Sequence, residues 1–152
     1  MKKILFLALM LVGFAFAESK AKIDLHESPF CGCCQMWVKY MENKGYTFNI
    51  HKSSDFYKIK DKLGIKEQYQ SCHTGVVDGY AVEGHVPEDA VAWLLKEKPK
   101  DVIGIAVPNM PMGSPGMEQG GEEEVYDVII LLKNGKHRVY GTYKGHKLIK
   151  KG

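Results

Sequence analysis

The sequence has little that could cross a bilayer comfortably, an uncleaved N-terminal anchor being the alternative to a cleaved leader. The greasiest run, Ile4–Phe14, falls well short of the roughly 20 apolar residues that a spanning helix needs. A dominant charge is missing too. The 21 Lys and Arg against 18 Asp and Glu leave +3, and the basic residues are scattered, so no nucleic-acid groove or anionic-membrane surface is expected. Internal repeats and low-complexity tracts are absent, which excludes array architectures. There is one C-x-x-C pair, Cys31 and Cys34. The familiar four-cysteine zinc signature has two, well separated, so zinc stays an alternative without its usual spacing.

What the sequence does have begins at its start. Lys2 and Lys3, the apolar run Ile4–Phe14 and then Ala15-Phe16-Ala17 have the order of a secretory signal peptide with a small-x-small cleavage site. The expectation is that residues 1–17 are removed and that 18–152 form a single exported domain with no membrane span. Without Lys2 and Lys3 the charge falls from +3 to +1.

Along the expected mature chain, Ile23–His26 reads as a strand broken by Ser28-Pro29-Phe30. Cys33–Lys44 carries Met36, Trp37, Tyr40 and Met41 at helical spacing, with Gly45 as the stop. Tyr46, Phe48 and Ile50 alternate as in a second strand. Ser54 is placed to cap a helix through Leu63, with Phe56, Ile59 and Leu63 inward. Thr74–Val77 and Tyr80–Val82 flank Asp78-Gly79, a hairpin turn. Pro87 opens a third helix lined by Val91, Leu94 and Leu95 and closed by Pro99. The order strand-helix-strand-helix-hairpin-helix predicts an α/β fold with a thioredoxin/glutaredoxin-like core. A Gly-, Pro- and Met-rich loop over 107–121 and an extra β-hairpin around Asn134-Gly135 follow. The cluster Lys144–Lys151 reads as a solvated, frayed end.

Three of the four cysteines lie within four consecutive residues, Cys31, Cys33 and Cys34. In an exported chain, Cys31–Cys34 and Cys33–Cys72 disulfides are the structural alternative. A bridge closing so short a loop removes little unfolded-state entropy, so close pairs usually serve chemistry. Cys31 is expected where a strand hands over to a helix, where the dipole favours thiolates. The hairpin strand that starts near Cys72 should run antiparallel to the first strand, bringing Cys72 and His73 to face the trio. The returning strand brings His85 to the rim.

Adjacent cysteines aim poorly at one small ion, so Cys33-Cys34 suits bridging thiolates around several soft ions. Soft sulfur selects Cu(I). Met110, Met112 and Met117 add thioethers that need no deprotonation; their alternative role is to plug a lid against the core. The sequence reading is therefore a copper site of Cys31, Cys33, Cys34 and Cys72, with His73, Met110, Met112, Met117 and His85 as additional candidates.

Four ordered motifs sharpen this reading. They are Ser28-Pro29-Phe30-Cys31-Gly32-Cys33-Cys34 with Trp37; Ser71-Cys72-His73-Thr74; Glu83-Gly84-His85-Val86-Pro87; and Val107-Pro108 through Met117-Glu118. Over residues 20–143 the chain resembles the CopG family of bacterial copper-resistance proteins. The resemblance implies a periplasmic protein with a thioredoxin-like core that binds copper through its cysteines, as a cysteine-bridged cluster of several ions. It also implies association with a copper exporter or carrier and exchange between Cu(I) and Cu(II). Two other readings stand beside it. One is a thiol-disulfide oxidoreductase using Cys31 and Cys34, weakened because Cys72-His73-Thr74 holds no proline where such enzymes usually dock peptide. The other is a disulfide-stapled binding domain whose edge strands recruit a partner.

Overall fold

The computed structural model describes residues 19–152, so the expected signal peptide at 1–17 lies outside the described residues. The elements are β1 (Lys22–Glu27), α1 (Gly32–Glu42), β2 (Thr47–Lys52), α2 (Lys58–Leu63), a 3-10 turn (Glu67–Tyr69), β3 (His73–Val77), β4 (Tyr80–Glu83), α3 (Glu88–Glu97), β5 (Val102–Ala106), β6 (Val125–Leu132), β7 (His137–Lys144) and β8 (Lys147–Lys151). All eight strands join one mixed sheet in the order β2-β1-β3-β4-β5-β6-β7-β8. Strand β1 is parallel to β2 and antiparallel to β3. Strand β4 is parallel to β5, and antiparallel pairs continue through β6, β7 and β8.

Side-chain alternation assigns the two faces. Ile23 and Leu25 of β1, Val82 of β4, Ile105 of β5 and Val128 and Ile130 of β6 are buried in one cluster with Trp37, Val38 and Met41 of α1 and Val91 and Leu94 of α3. Their neighbours Ala81, Ala106, Ile129 and Leu131 pack on the opposite face with Ile65 and Tyr69. Trp37 is fully buried and donates its indole N–H to the Val86 carbonyl at 3.0 Å. Truncating such a residue costs about 3–5 kcal/mol, so α1 is firmly fixed against the sheet. Asp78 and Gly79 both have positive φ, 49° and 80°, as the tight hairpin turn requires.

Several expectations need correction. Ser54 caps no helix: α2 begins at Lys58, and Phe56, Ile59 and Leu63 are only half-buried. The buried residue of α2 is Lys60, which side-chain patterning assigns to solvent; it has hydrogen-bonding partners inside. In α1, Val38 points inward while Met36 is 52% exposed. Helix α1 ends at Glu42 rather than Lys44. Ile50 is 38% exposed because β2 is an edge strand with only β1 beside it. Residues 102–106, unassigned by pattern, form β5, which bridges the first hairpin to the second. The basic end is no frayed tail: Lys147–Lys151 pairs with β7 as the other edge strand.

Candidate metal centre

The site forms at the end of the sheet where β1 stops and β3 starts. After Glu27 the chain turns through Ser28-Pro29-Phe30, with Cys31 N–H donating to the Ser28 carbonyl at 3.2 Å. Helix α1 opens at Gly32, which leaves Cys31 at its N-terminal boundary and turns Cys34 into the interior. Because β1 and β3 are antiparallel with Glu27 opposite His73, Cys72 stands just beyond the end of β1.

The result is convergence. The sulfurs of Cys31, Cys33, Cys34 and Cys72 all lie within 4.8 Å of one another. Cys31 and Cys34 are joined as a disulfide, and Cys33 and Cys72 are free thiols. One of the two bridges weighed from sequence is thus present and the other is not. Cys33 Sγ stands 3.6 Å from Cys31 Sγ. Cys34 Sγ lies 4.0 Å from the Cys72 carbonyl oxygen.

Cys72 also belongs to a second group. His85 Nε2 is 3.1 Å and His73 Nδ1 3.3 Å from its sulfur, and the three donor atoms lie within 4.8 Å of one another. Its thiol is therefore the corner shared by a four-sulfur set and a set of two imidazole nitrogens and one sulfur. His85 Nδ1 faces the Pro115 carbonyl at 2.8 Å. A carbonyl only accepts, so Nδ1 carries the proton and Nε2 presents its lone pair to the sulfur. His73 is wholly buried, its ring 4.7 Å from Trp37 and 5.0 Å from His85, and its Nε2 has no partner among the described residues.

Electrostatics keeps this set protonated or neutral in the absence of a metal. Burial, reinforced by the nearby Cys33 thiol, pushes the Cys72 thiol up to about 12. The lowering expected of thiols at a helix N-terminus does not extend to this one. Burial also lowers His85, and lowers His73 far more, with His85 adding to the effect. Both imidazoles are therefore neutral at pH 7, the form that ligates a metal.

The loop at 107–121 is ordered. Gly116, at φ +87°, passes so close to α1 that a Cβ would meet Trp37 N at 2.6 Å. Its N–H donates to Glu118 Oε2 at 2.8 Å, and the other Glu118 oxygen pairs with His146 from the β7–β8 turn. Of the three candidate thioethers, Met117 is buried, Met112 is half-buried and Met110 is 48% exposed. Met110 follows Asn109, whose carbonyl accepts from Ser71 Oγ beside Cys72. Sequence reading missed buried Lys60 and Glu83, which form an ion pair next to Thr74. The Glu-Gly-His run was the available signal for the second.

A family described as "Protein of unknown function, DUF411" matches residues 69–117, which hold Cys72, both histidines and the methionine loop. Among curated proteins there is no match. Two solved structures are similar. "Copper resistance protein copG- Form 1" is 42% identical with a TM-score of 0.76, covering 82% of this chain and 98% of that one. "Copper resistance protein copG- Form 2" is 43% identical with a TM-score of 0.74, covering 81% and 98%. Likeness of this extent, together with the four-sulfur constellation, identifies the chain as a member of the CopG family of copper-resistance proteins.

Proposed function

We propose that this protein is an exported copper-binding protein, thioredoxin-like in its core, that holds Cu(I) in a multinuclear site formed by Cys31, Cys33, Cys34 and Cys72. The observation that carries this reading is the convergence of four sulfurs within 4.8 Å. Sulfurs so close, two of them on adjacent residues, suit thiolates that bridge several soft ions better than one tetrahedral ion. His73 and His85 extend the donor set through Cys72. Met110, Met112 and Met117 are supporting thioether candidates on the loop whose Pro115 carbonyl meets His85. Thiolates favour Cu(I) and neutral imidazoles also accept Cu(II), so the mixed set suits exchange between the two states. The N-terminal signal pattern supports a periplasmic location, and an exporter or copper carrier is the fitting recipient.

Loading needs the reduced form. A small-molecule dithiol, itself oxidised to a disulfide, supplies the two electrons and two protons that convert the Cys31–Cys34 disulfide into two thiols, and the thiol protons leave as copper enters. The test is copper per protein after anaerobic Cu(I) loading of reduced wild type and Cys33→Ala. More than one tightly held copper in wild type, and fewer in the variant, is expected. Less than one in wild type ends the reading.

One observation favours a second reading. The Cys31–Cys34 disulfide with a free thiol 3.6 Å from one of its sulfurs is also an arrangement for thiol-disulfide exchange. Insulin reduction separates the two. Turnover at the rate of a thioredoxin, unchanged by Cys72→Ser, would favour the oxidoreductase.

A further inference from the structure

The Glu83-Gly84-His85 run reaches the site at three successive residues, and only the histidine has so far been given a task there. Glu83 is wholly buried, as is Thr74, and Lys60 is 2% exposed. The carboxylate accepts the Ser71 backbone N–H at 2.6 Å on Oε1 and the Thr74 hydroxyl at 2.6 Å on Oε2. Lys60 Nζ donates to Oε1 at 2.5 Å and to Thr74 Oγ1 at 2.8 Å. One carboxylate therefore grips the residue before Cys72 and the residue after His73. It brackets the dipeptide from the sheet face opposite α1.

A buried ion pair is weak evidence of stabilisation, because apolar residues of similar volume often do as well. What an apolar pair cannot supply is two acceptors fixed on either side of one dipeptide. The backbone around the clamp is equally tight. Gly84 N–H donates to the His73 carbonyl at 3.0 Å, and a Cβ at Gly84 would meet Ser71 Oγ at 2.5 Å. A site whose sulfurs must meet shared ions tolerates errors of only a few tenths of an ångström, and Cys72 comes from a segment about forty residues away from the other three. Its placement needs a device of its own.

We propose that Glu83, backed by Lys60, is a positioning residue that sets where the Cys72 sulfur stands relative to Cys33. This rests on the reading of the four sulfurs as the copper site, but its geometric core is independent of copper. The test uses purified protein with the Cys31–Cys34 disulfide intact, so that Cys33 and Cys72 are the only thiols. The first readout is the rate at which dibromobimane bridges those two thiols. The second is Cu(I) affinity of the reduced protein, by competition with a chromogenic chelator. The variants are Lys60→Met/Glu83→Leu, which removes the clamp without leaving a buried charge, and Thr74→Val, which removes one arm of it. Val128→Ala, in the core of β6 three strands from β3, controls for general loss of stability.

The double variant should bridge at least tenfold more slowly and bind Cu(I) at least tenfold more weakly. Thr74→Val should show a severalfold loss in both, and Val128→Ala should match wild type despite its lower melting temperature. If the double variant does not fold, Thr74→Val decides alone. Bridging at the wild-type rate in a folded clamp variant overturns the proposal, as does an equal loss in Val128→Ala. If wild type bridges its thiols yet takes up no Cu(I), the copper reading fails while the positioning role is still judged by the bridging rates.

Discussion

Replacing Lys60 alone with Met should produce an instability that depends on pH in a defined direction. The substitution removes the ammonium and leaves a wholly buried carboxylate with only a hydroxyl and an amide to satisfy it. Breaking a buried pair in this way costs about 3–5 kcal/mol when the remaining group stays charged. Glu83 can escape that cost by taking up a proton. Burial already raises it from the ordinary value of 4.5, and the strongest opposing influence is Lys60. Without Lys60 the folded-state value rises further, while the unfolded value stays near 4.5. A raised carboxyl contributes stability below the unfolded value and loses it as pH climbs toward the folded one, by about 1.4 kcal/mol per pH unit. Wild type shares the raised carboxyl, so Lys60→Met should lie close to it at pH 4.5 and fall behind only above the wild type's own raised value, by up to about 3–5 kcal/mol near neutrality. Urea denaturation of the metal-free protein at pH 4.5, 6 and 7.5 measures this. A deficit that is the same at all three values, or below about 1 kcal/mol at pH 7.5, would refute the reasoning.

Three further outcomes are expected. Gly84→Ala should cost about 1–3 kcal/mol and weaken Cu(I) binding at least tenfold, because Ser71 must retreat by about 0.9 Å, the shortfall from 3.4 to 2.5 Å; thermal melts and chelator competition read the two effects. Gly116→Ala should lift the loop from Trp37 N, seen as lost hydrogen-exchange protection at residues 113–117. Burial holds Cys72 protonated to about 12, so its proton must leave when copper binds. Apparent Cu(I) affinity between pH 6 and 8 should rise by about one decade per pH unit more in reduced wild type than in Cys72→Ser, and equal slopes would show that this thiol is not a ligand.

The sulfur convergence was legible because it follows from strand direction alone. Once β1 and the hairpin strand were recognised as antiparallel neighbours, Cys72 had to lie near Cys31. The hairpin turns were legible through Asp78-Gly79 and Asn134-Gly135, whose chemistry is local. Strand β5 was not. Its five residues have neither a long run nor clean alternation, since both faces of the sheet are covered there and Gly104 fits against the Ala81 backbone. Strand β8 was hidden by its lysines, which point to solvent from an edge and look like a tail until pairing with β7 is seen. Lys60 was illegible for a deeper reason. A pattern of apolar positions cannot announce a buried cation whose partners, Thr74 and Glu83, lie 14 and 23 residues away.

The composite origin of the sulfur site has a consequence for the order of events in the protein's synthesis. A ribosome delivers Cys31, Cys33 and Cys34 long before Cys72, and the His146 that pairs with Glu118 of the 107–121 loop emerges almost last. A nascent chain therefore carries three thiols without their fourth companion. The four-sulfur set is complete only once Cys72 has joined the first three, so metal acquisition of the kind proposed above follows that step.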